Sequence, residues 1–259
     1  MLIAQITDFH VDLRVEIDGK TIDTTACLER AVEHLNRFSP APDFVVATGD
    51  LAHRGTPEEY ERIKSVLSRL SMRYLVLPGN HDGRESLRGV FSDHDYLPRE
   101  GEFLHYVIDE EPLRFIVLDT LNPGFDGGLV CEERCDWFET RLAEAPLTPT
   151  LVFMHHPPTA LGIPNFDAMA CVHGEVVGEI VSRNRQVQVV ACGHVHRPIA
   201  MAWNGALLTV SPSIAFQYPL DLTGVDRLAP VIEPAACRIF QWSEHGALST
   251  HLSYIDTDA

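Results

Sequence analysis

Apolar positions along the chain fall into two kinds of run. Near-continuous apolar stretches at residues 1–6, 43–48, 73–77, 151–154 and 187–191 have the length and β-branched content of strands covered on both faces. Between the first three lie helical patterns. Residues 24–35 place Leu28, Ala31, Val32 and Leu35 on one face, and residues 56–70 open with Thr56-Pro57-Glu58-Glu59, a capping box with proline at the first position. Strand, helix, strand, helix, strand predicts parallel pairing through right-handed crossovers.

The second half reads differently. Residues 103–108 and 113–118 flank Asp109-Glu110-Glu111-Pro112 and predict a hairpin, and 122–128 is a Gly/Pro/Asp loop. A helix over 132–145 turns Trp137, Phe138 and Leu142 inward. A long connection through Gly162, Pro164 and Asp167 leads to a helix over 175–183, and short β runs follow at 199–203, 206–210, 238–242 and 248–254, with a tight turn at Asn204-Gly205. Residues 211–236 are rich in Pro and Asp without a period, which fits a loop over a substrate or a contact between copies. The class is α/β (α+β), and 259 residues suit one domain, 1–259, with 211–236 as a cap or oligomerisation loop.

Charge narrows the partners. With 37 acidic against 20 basic residues and a net charge of -17, the chain repels a nucleic-acid backbone, whereas a small anion can still be held where cations dominate locally. The N-terminus lacks a basic leader, and no apolar run reaches the roughly 18 residues of a membrane span. Six scattered cysteines suit reduced thiols and a cytoplasmic location; Cys131 and Cys135 share a helix face but have no second pair to complete a zinc site.

The chemistry is concentrated where the apolar runs stop. They end in Asp8-Phe9-His10, Gly49-Asp50, Gly79-Asn80-His81-Asp82, His155-His156-Pro157-Pro158 and Gly193-His194-Val195-His196. Asp8 and His10, like His194 and His196, are alternate residues whose side chains can project the same way. Mixed nitrogen and oxygen donors suit Fe, Mn, Zn or Co better than Mg or Ca. Asp8, His10, Asp50, Asn80, His155, His194 and His196 are too many donors for one ion. They fit two ions about 3.5–4 Å apart sharing Asp50 and a hydroxide, able to drive an in-line displacement at phosphorus. His53 and Arg54 are close enough to Asp50 to reach a phosphate but read as surface loop; His34, His105, His173, His245 and His251 read as ordinary core or surface residues.

In full and in order, these blocks resemble the calcineurin-like metallophosphoesterases. His155-His156-Pro157-Pro158 followed by Gly162-Ile163-Pro164 and Asp167 is most similar to the branch of bacterial cyclic-nucleotide and glycerophosphodiester phosphodiesterases. The resemblance implies a four-layer α/β/β/α sandwich with two mixed sheets, and a homodimer or larger assembly through 211–236. It implies that Asp8, His10 and His196 join Asp50 at a first metal, while Asn80, His155 and His194 join it at a second. His81 would face the substrate phosphate or leaving group, Asp82 would orient His81 by a hydrogen bond, and His156 would pack behind the metals. The implied activity is hydrolysis of small phosphodiesters, cyclic nucleotides or glycerophosphodiesters, by in-line attack of a metal-bridging hydroxide. The alternatives are a phosphomonoesterase and a non-catalytic scaffold; a scaffold should have lost ligands, and none is missing. Where some relatives are expected to offer a further histidine, this chain has Phe216.

Overall fold

The computed structural model describes residues 1–225 and 228–256. Its first half runs β1 (Leu2–Ile6), β2 (Arg14–Ile17), β3 (Lys20–Asp23), α1 (Thr24–Arg37), β4 (Phe44–Thr48), α2 (Pro57–Leu67), β5 (Arg73–Leu77) and α3 (Arg84–Val90). β1, β4 and β5 pair in parallel, as the strand-helix order predicts. The starts of α1 and α2 follow capping chemistry: Asp23 accepts from the amides of Thr25 and Ala26, and the Thr56/Glu59 box closes in both directions.

The second half runs β6 (Tyr106–Glu110), β7 (Leu113–Leu118), α4 (Glu132–Glu144), β8 (Thr150–Met154), α5 (Pro164–Asp167), α6 (Gly174–Arg183), β9 (Val187–Cys192), β10 (Ile199–Trp203), β11 (Ala206–Val210), β12 (Ala236–Trp242) and β13 (Leu248–Tyr254). β12 returns antiparallel beside β1 and β13 antiparallel beside β12, giving the order β13-β12-β1-β4-β5; the second sheet is β10-β11-β9-β8-β7-β6, with β7, β8, β9 and β11 parallel and its edges antiparallel.

Strand periodicity sorts the second sheet's side chains between two cores. Phe115, Val117, Leu151 and Phe153 join β1, β4, β5 and the buried faces of α1 and α2 in one cluster. Their neighbours Ile116, Leu118, Val152 and Met154 pack with Phe138 and Leu142 of α4 and with Val177, Ile180 and Val181 of α6 in another. The result is the four-layer α/β/β/α sandwich with two mixed sheets. β1, β4 and β8 are buried almost throughout because both their faces are covered, whereas edge strand β13 alternates.

Three local features differ from the sequence reading. The β2–β3 hairpin was not anticipated; it turns at Asp18-Gly19, whose φ values of 51° and 75° are both positive, as a type I′ turn requires. Helix α3 was also missed, since it has no side-chain cap and Leu87 is its only buried residue. The hairpin strand begins at Tyr106 and not at 103: Phe103 lies beneath the guanidinium groups of Arg84 and Arg134, and the Leu104 amide donates to Asp119 Oδ2 at 2.8 Å. Among the described residues of 211–236 before β12, a Gln217–Val231 bridge is the only regular pairing. No helix among the described residues is long and apolar enough to cross a membrane.

Candidate metal centre

Parallel strands present their carboxyl ends to one rim, and the loops leaving β1, β4, β5, β8 and β9 meet there. Asp8, His10, Asp50, His194 and His196 have φ values of 56°, 47°, 49°, 72° and 52°. Non-glycine residues are uncommon in this left-handed region and persist where surrounding bonds over-determine them. Those bonds are present: the Asp8 amide donates to the Gly49 carbonyl, the His10 amide to the Asp50 carbonyl, and the His194 amide to both oxygens of Asp8. Backbone approaches are close enough that a Cβ on Gly79 would collide with Asp50 and His155, and one on Gly193 with Thr7 and Asp8.

The seven sequence-predicted donors come together, and all but Asn80 are buried. The Nε2 atoms of His10 and His196 are 3.2 Å apart; His196 Nε2 is 3.4 Å from Asp8 Oδ1, and His10 Nε2 is 3.8 Å from Asp50 Oδ2. On the other side of Asp50, His155 Nε2 stands 3.4 Å from the same Oδ2. His194 Nδ1 and Asn80 Oδ1 are 3.1 Å apart. Asp8, His10 and His196 form one group of potential ligand atoms within 4.8 Å of one another, and Asp8, Asp50 and His155 form another.

Hydrogen bonds fix which ring nitrogen is free. His155 Nδ1 donates to the Thr48 carbonyl at 2.8 Å and His196 Nδ1 to the Phe216 carbonyl at 2.8 Å, leaving both Nε2 atoms for a ligand. His155 Nε2 is buried without a hydrogen-bond partner. His156 differs: Nδ1 meets the Thr120 hydroxyl at 2.8 Å and Nε2 the Asp126 carbonyl at 3.2 Å, so neither nitrogen is spare. It packs behind the site, its ring 4.7 Å from those of His155 and His194.

Electrostatics match a site built for cations. Burial would raise the Asp8 and Asp50 carboxyls, but His196 and His155 beside Asp8, and His155 and His10 beside Asp50, hold both below the usual range. Burial disfavours a charged His155, yet the Asp50 and Asp8 carboxylates outweigh it and raise this imidazole to about 9. Burial pushes His10 and His194 down to about 3. Two buried carboxylates that already draw a proton onto His155, with the His10 and His194 rings held neutral beside them, want positive charge between them, and transition-metal dications fit that donor set.

A cavity of about 220 Å³ opens onto these groups, lined also by His81, Asp126, Phe166, Met169, Tyr218 and Leu228. The His81 amide donates to Asp50 Oδ1 at 2.8 Å, and its Nδ1 faces the His53 carbonyl at 3.0 Å. The expected hydrogen bond from Asp82 to His81 is not there. The Asp82 amide closes a turn onto the Gly79 carbonyl, and its carboxylate is directed into the protein, accepting from the amides of Leu51, Ala52 and Gly79 and from the Tyr60 hydroxyl.

His53, which reads as surface loop in the sequence, instead stacks its ring on His81 at 5.4 Å, and His10, His53 and His81 form a further group of potential ligand atoms. Arg54 pairs with Glu59 at 2.9 Å. Phe216 packs on His10 and His196 at 5.6 and 4.8 Å while its carbonyl holds His196. Carbonyl partners such as those of Thr48 and Phe216 leave no sequence signal, because any residue supplies one.

Comparisons with known proteins point to phosphoesterases. The calcineurin-like phosphoesterase model matches residues 1–198. A probable glycerophosphodiester phosphodiesterase GpdQ of Arcobacter nitrofigilis is 34% identical over 98% of this chain and 93% of its own length. The 3',5'-cyclic adenosine monophosphate phosphodiesterase CpdA of Escherichia coli K12 is 26% identical over 88% of this chain and 82% of its own. Among solved structures, a dimetal phosphatase from Danio rerio superposes with a TM-score of 0.65 at 15% identity, covering 98% of both chains, a likeness of fold.

Proposed function

This chain belongs to the calcineurin-like phosphoesterase family and is a metal-dependent phosphodiesterase, and we propose that it hydrolyses small phosphodiesters with two ions that share Asp50. The observation that carries this reading is the placement of Asp50 Oδ2 within 3.8 Å of His10 Nε2 and 3.4 Å of His155 Nε2. One carboxylate thus stands between two donor groups. Asp8, His10 and His196 would complete the first, and Asn80, His155 and His194 the second. Iron, manganese, zinc and cobalt all suit these donors.

Such ions would supply Lewis-acid charge to the phosphodiester and lower the pKa of an attacking water toward neutrality. The chain's own residues do the rest. The His81 amide, bonded to Asp50 Oδ1, keeps that carboxylate from rotating. His81 Nδ1–H donates to the His53 carbonyl, which leaves Nε2 free; as an imidazolium, its Nε2–H would contact a phosphoryl oxygen or pass its proton to the departing alkoxide, returning the ring to the neutral form. Phe166, Met169, Tyr218 and Leu228 supply an apolar wall for one ester group. The names of the relatives favour cyclic nucleotides or glycerophosphodiesters as substrates.

The whole chain acts in this reading as one domain, with 211–236 as cap or contact between copies. Leu220, Leu222, Val225, Leu228 and Ile232 are exposed there, and Leu228 also reaches the cavity. Light scattering is expected to give a dimer or larger mass; a monomer would remove the oligomer contact.

The activity is tested with bis(p-nitrophenyl) phosphate and p-nitrophenyl phosphate under added Mn, Co, Fe or Zn. The diester is expected to turn over faster and to stop turning over in chelator. Equal or faster monoester hydrolysis would favour a phosphomonoesterase instead.

A further inference from the structure

We propose that Tyr60 is a positioning residue for the metal centre, acting through Asp82 on the second ion, the one served by Asn80, His155 and His194. The inference rests on the two-ion reading above. Tyr60 lies on α2 and is fully buried, as is Glu59 beside it. Its hydroxyl donates to Asp82 Oδ1 at 2.8 Å and accepts from the Gly83 amide at 2.8 Å. Asp82 Oδ1 also accepts from the Ala52 amide at 3.1 Å, and Oδ2 from the amides of Leu51 at 3.1 Å and Gly79 at 2.8 Å.

One carboxylate therefore ties the two residues that follow Asp50 to the residue that precedes Asn80, with two donors on each oxygen. Among the described residues the phenol is the only side chain in this clamp besides Asp82 itself, and it comes from outside both ligand loops. α2 is pinned to the same region, because Glu59 accepts from the amides of Arg54 and Thr56. Removing the hydroxyl leaves the Gly83 amide and one Asp82 lone pair unmatched beside the turn that sets the Asp50–Asn80 separation.

Apart from the shared Asp50, the first ion's ligands are held by bonds outside the clamp. Asp8 is fixed by the His194 amide and His196 by the Phe216 carbonyl, and neither bond passes through Tyr60. A general structural role would weaken both ions along with the fold. A positioning role weakens one.

The test titrates metal-free wild type, Tyr60→Phe and Asp82→Asn with Mn²⁺ by calorimetry, with thermal denaturation of each in chelator. Wild type is expected to take two ions. Tyr60→Phe should keep one affinity within about threefold of wild type and lose about 10–100-fold in the other, the scale for outer partners of metal ligands. Its turnover of bis(p-nitrophenyl) phosphate should be low at limiting Mn²⁺ and recover at saturation, with KM unchanged. Asp82→Asn should show the same one-ion loss, and it carries the test if Tyr60→Phe does not fold. Wild-type affinities in a folded variant, or equal weakening of both ions, would overturn the inference. Loss of the fold in both variants would overturn it too, since the clamp would then serve the fold and not the site. A single ion in wild type would instead bring down the two-ion reading on which it rests.

Discussion

His10 and His196, 186 positions apart in the chain, face each other through Nε2 atoms at 3.2 Å. Two imidazole lone pairs at that distance repel unless a proton or a cation stands between them, and Asp8 Oδ1, 3.4 Å from His196, supplies the matching negative charge. Binding a cation here should therefore stabilise the fold. At a free concentration about 100 times Kd the gain is about 2.7 kcal/mol per site, a rise of roughly 5–10 °C in Tm for a chain of this size. Thermal denaturation in chelator and in excess Mn²⁺ measures it; an unchanged Tm would contradict a metal at this position.

The contribution of His155, His10 and His194 to the stability of the metal-free chain should be largest near pH 6.5. His155 is held at about 9 in the folded chain against an ordinary 6.5, so the folded state binds the extra proton and the stability it contributes is full below 6.5 and lost as pH rises through 9. His10 and His194, at about 3, work in the opposite direction. The unfolded chain binds their protons between 6.5 and 3, so stability falls as pH drops through that window. Bound metal displaces the His155 proton, and the alkaline decline should disappear. Tm against pH, with and without Mn²⁺, checks this, and a metal-free Tm that climbs steadily from pH 6 to 9 would refute it.

The two adjacent histidines should separate cleanly. His155→Ala removes a lone pair aimed at Asp50, and activity and one ion should go with it. His156→Ala removes the partner of the Thr120 hydroxyl and the Asp126 carbonyl, at a cost of about 1–3 kcal/mol in stability, with the ion count unchanged. Elemental analysis of the two purified variants distinguishes them.

Asp119 is the buried anchor of the loop that carries Asp126. It is fully buried, receives Arg84 through two bonds at 2.6 and 2.9 Å, and accepts the amides of Leu104 and Leu121. Asp119→Ala would strand Arg84 and Arg134 without their carboxylate and should destabilise the protein by about 3–5 kcal/mol in urea unfolding. A loss under 1 kcal/mol would mean the loop relaxes to let water in.

Strands β1, β4, β5, β8 and β9 and the donors at their ends were legible in the sequence because buried parallel strands are unbroken apolar runs, so their polar ends stand out. The partners of those donors were not. Thr48 and Phe216 act through carbonyls, and Tyr60 looks like any buried aromatic on a helix face. The resemblance implies that Asp82 orients His81, but the turn closed by the Asp82 amide on Gly79 sends the neighbouring side chains to different places. Asp18-Gly19 carried the signal for the β2–β3 hairpin; its strands are only four residues long and half exposed, too short for the alternation of Val15, Ile17 and Ile22 with polar residues to stand out.

The shared carboxylate remains the centre of the account, and counting metal in Asp50→Ala tests it most directly. Wild type loaded with Mn²⁺ should hold two ions per chain, while Asp50→Ala should hold at most one and lose several kcal/mol of transition-state stabilisation, about a thousandfold or more in diester turnover. Two ions and wild-type turnover in Asp50→Ala would contradict it.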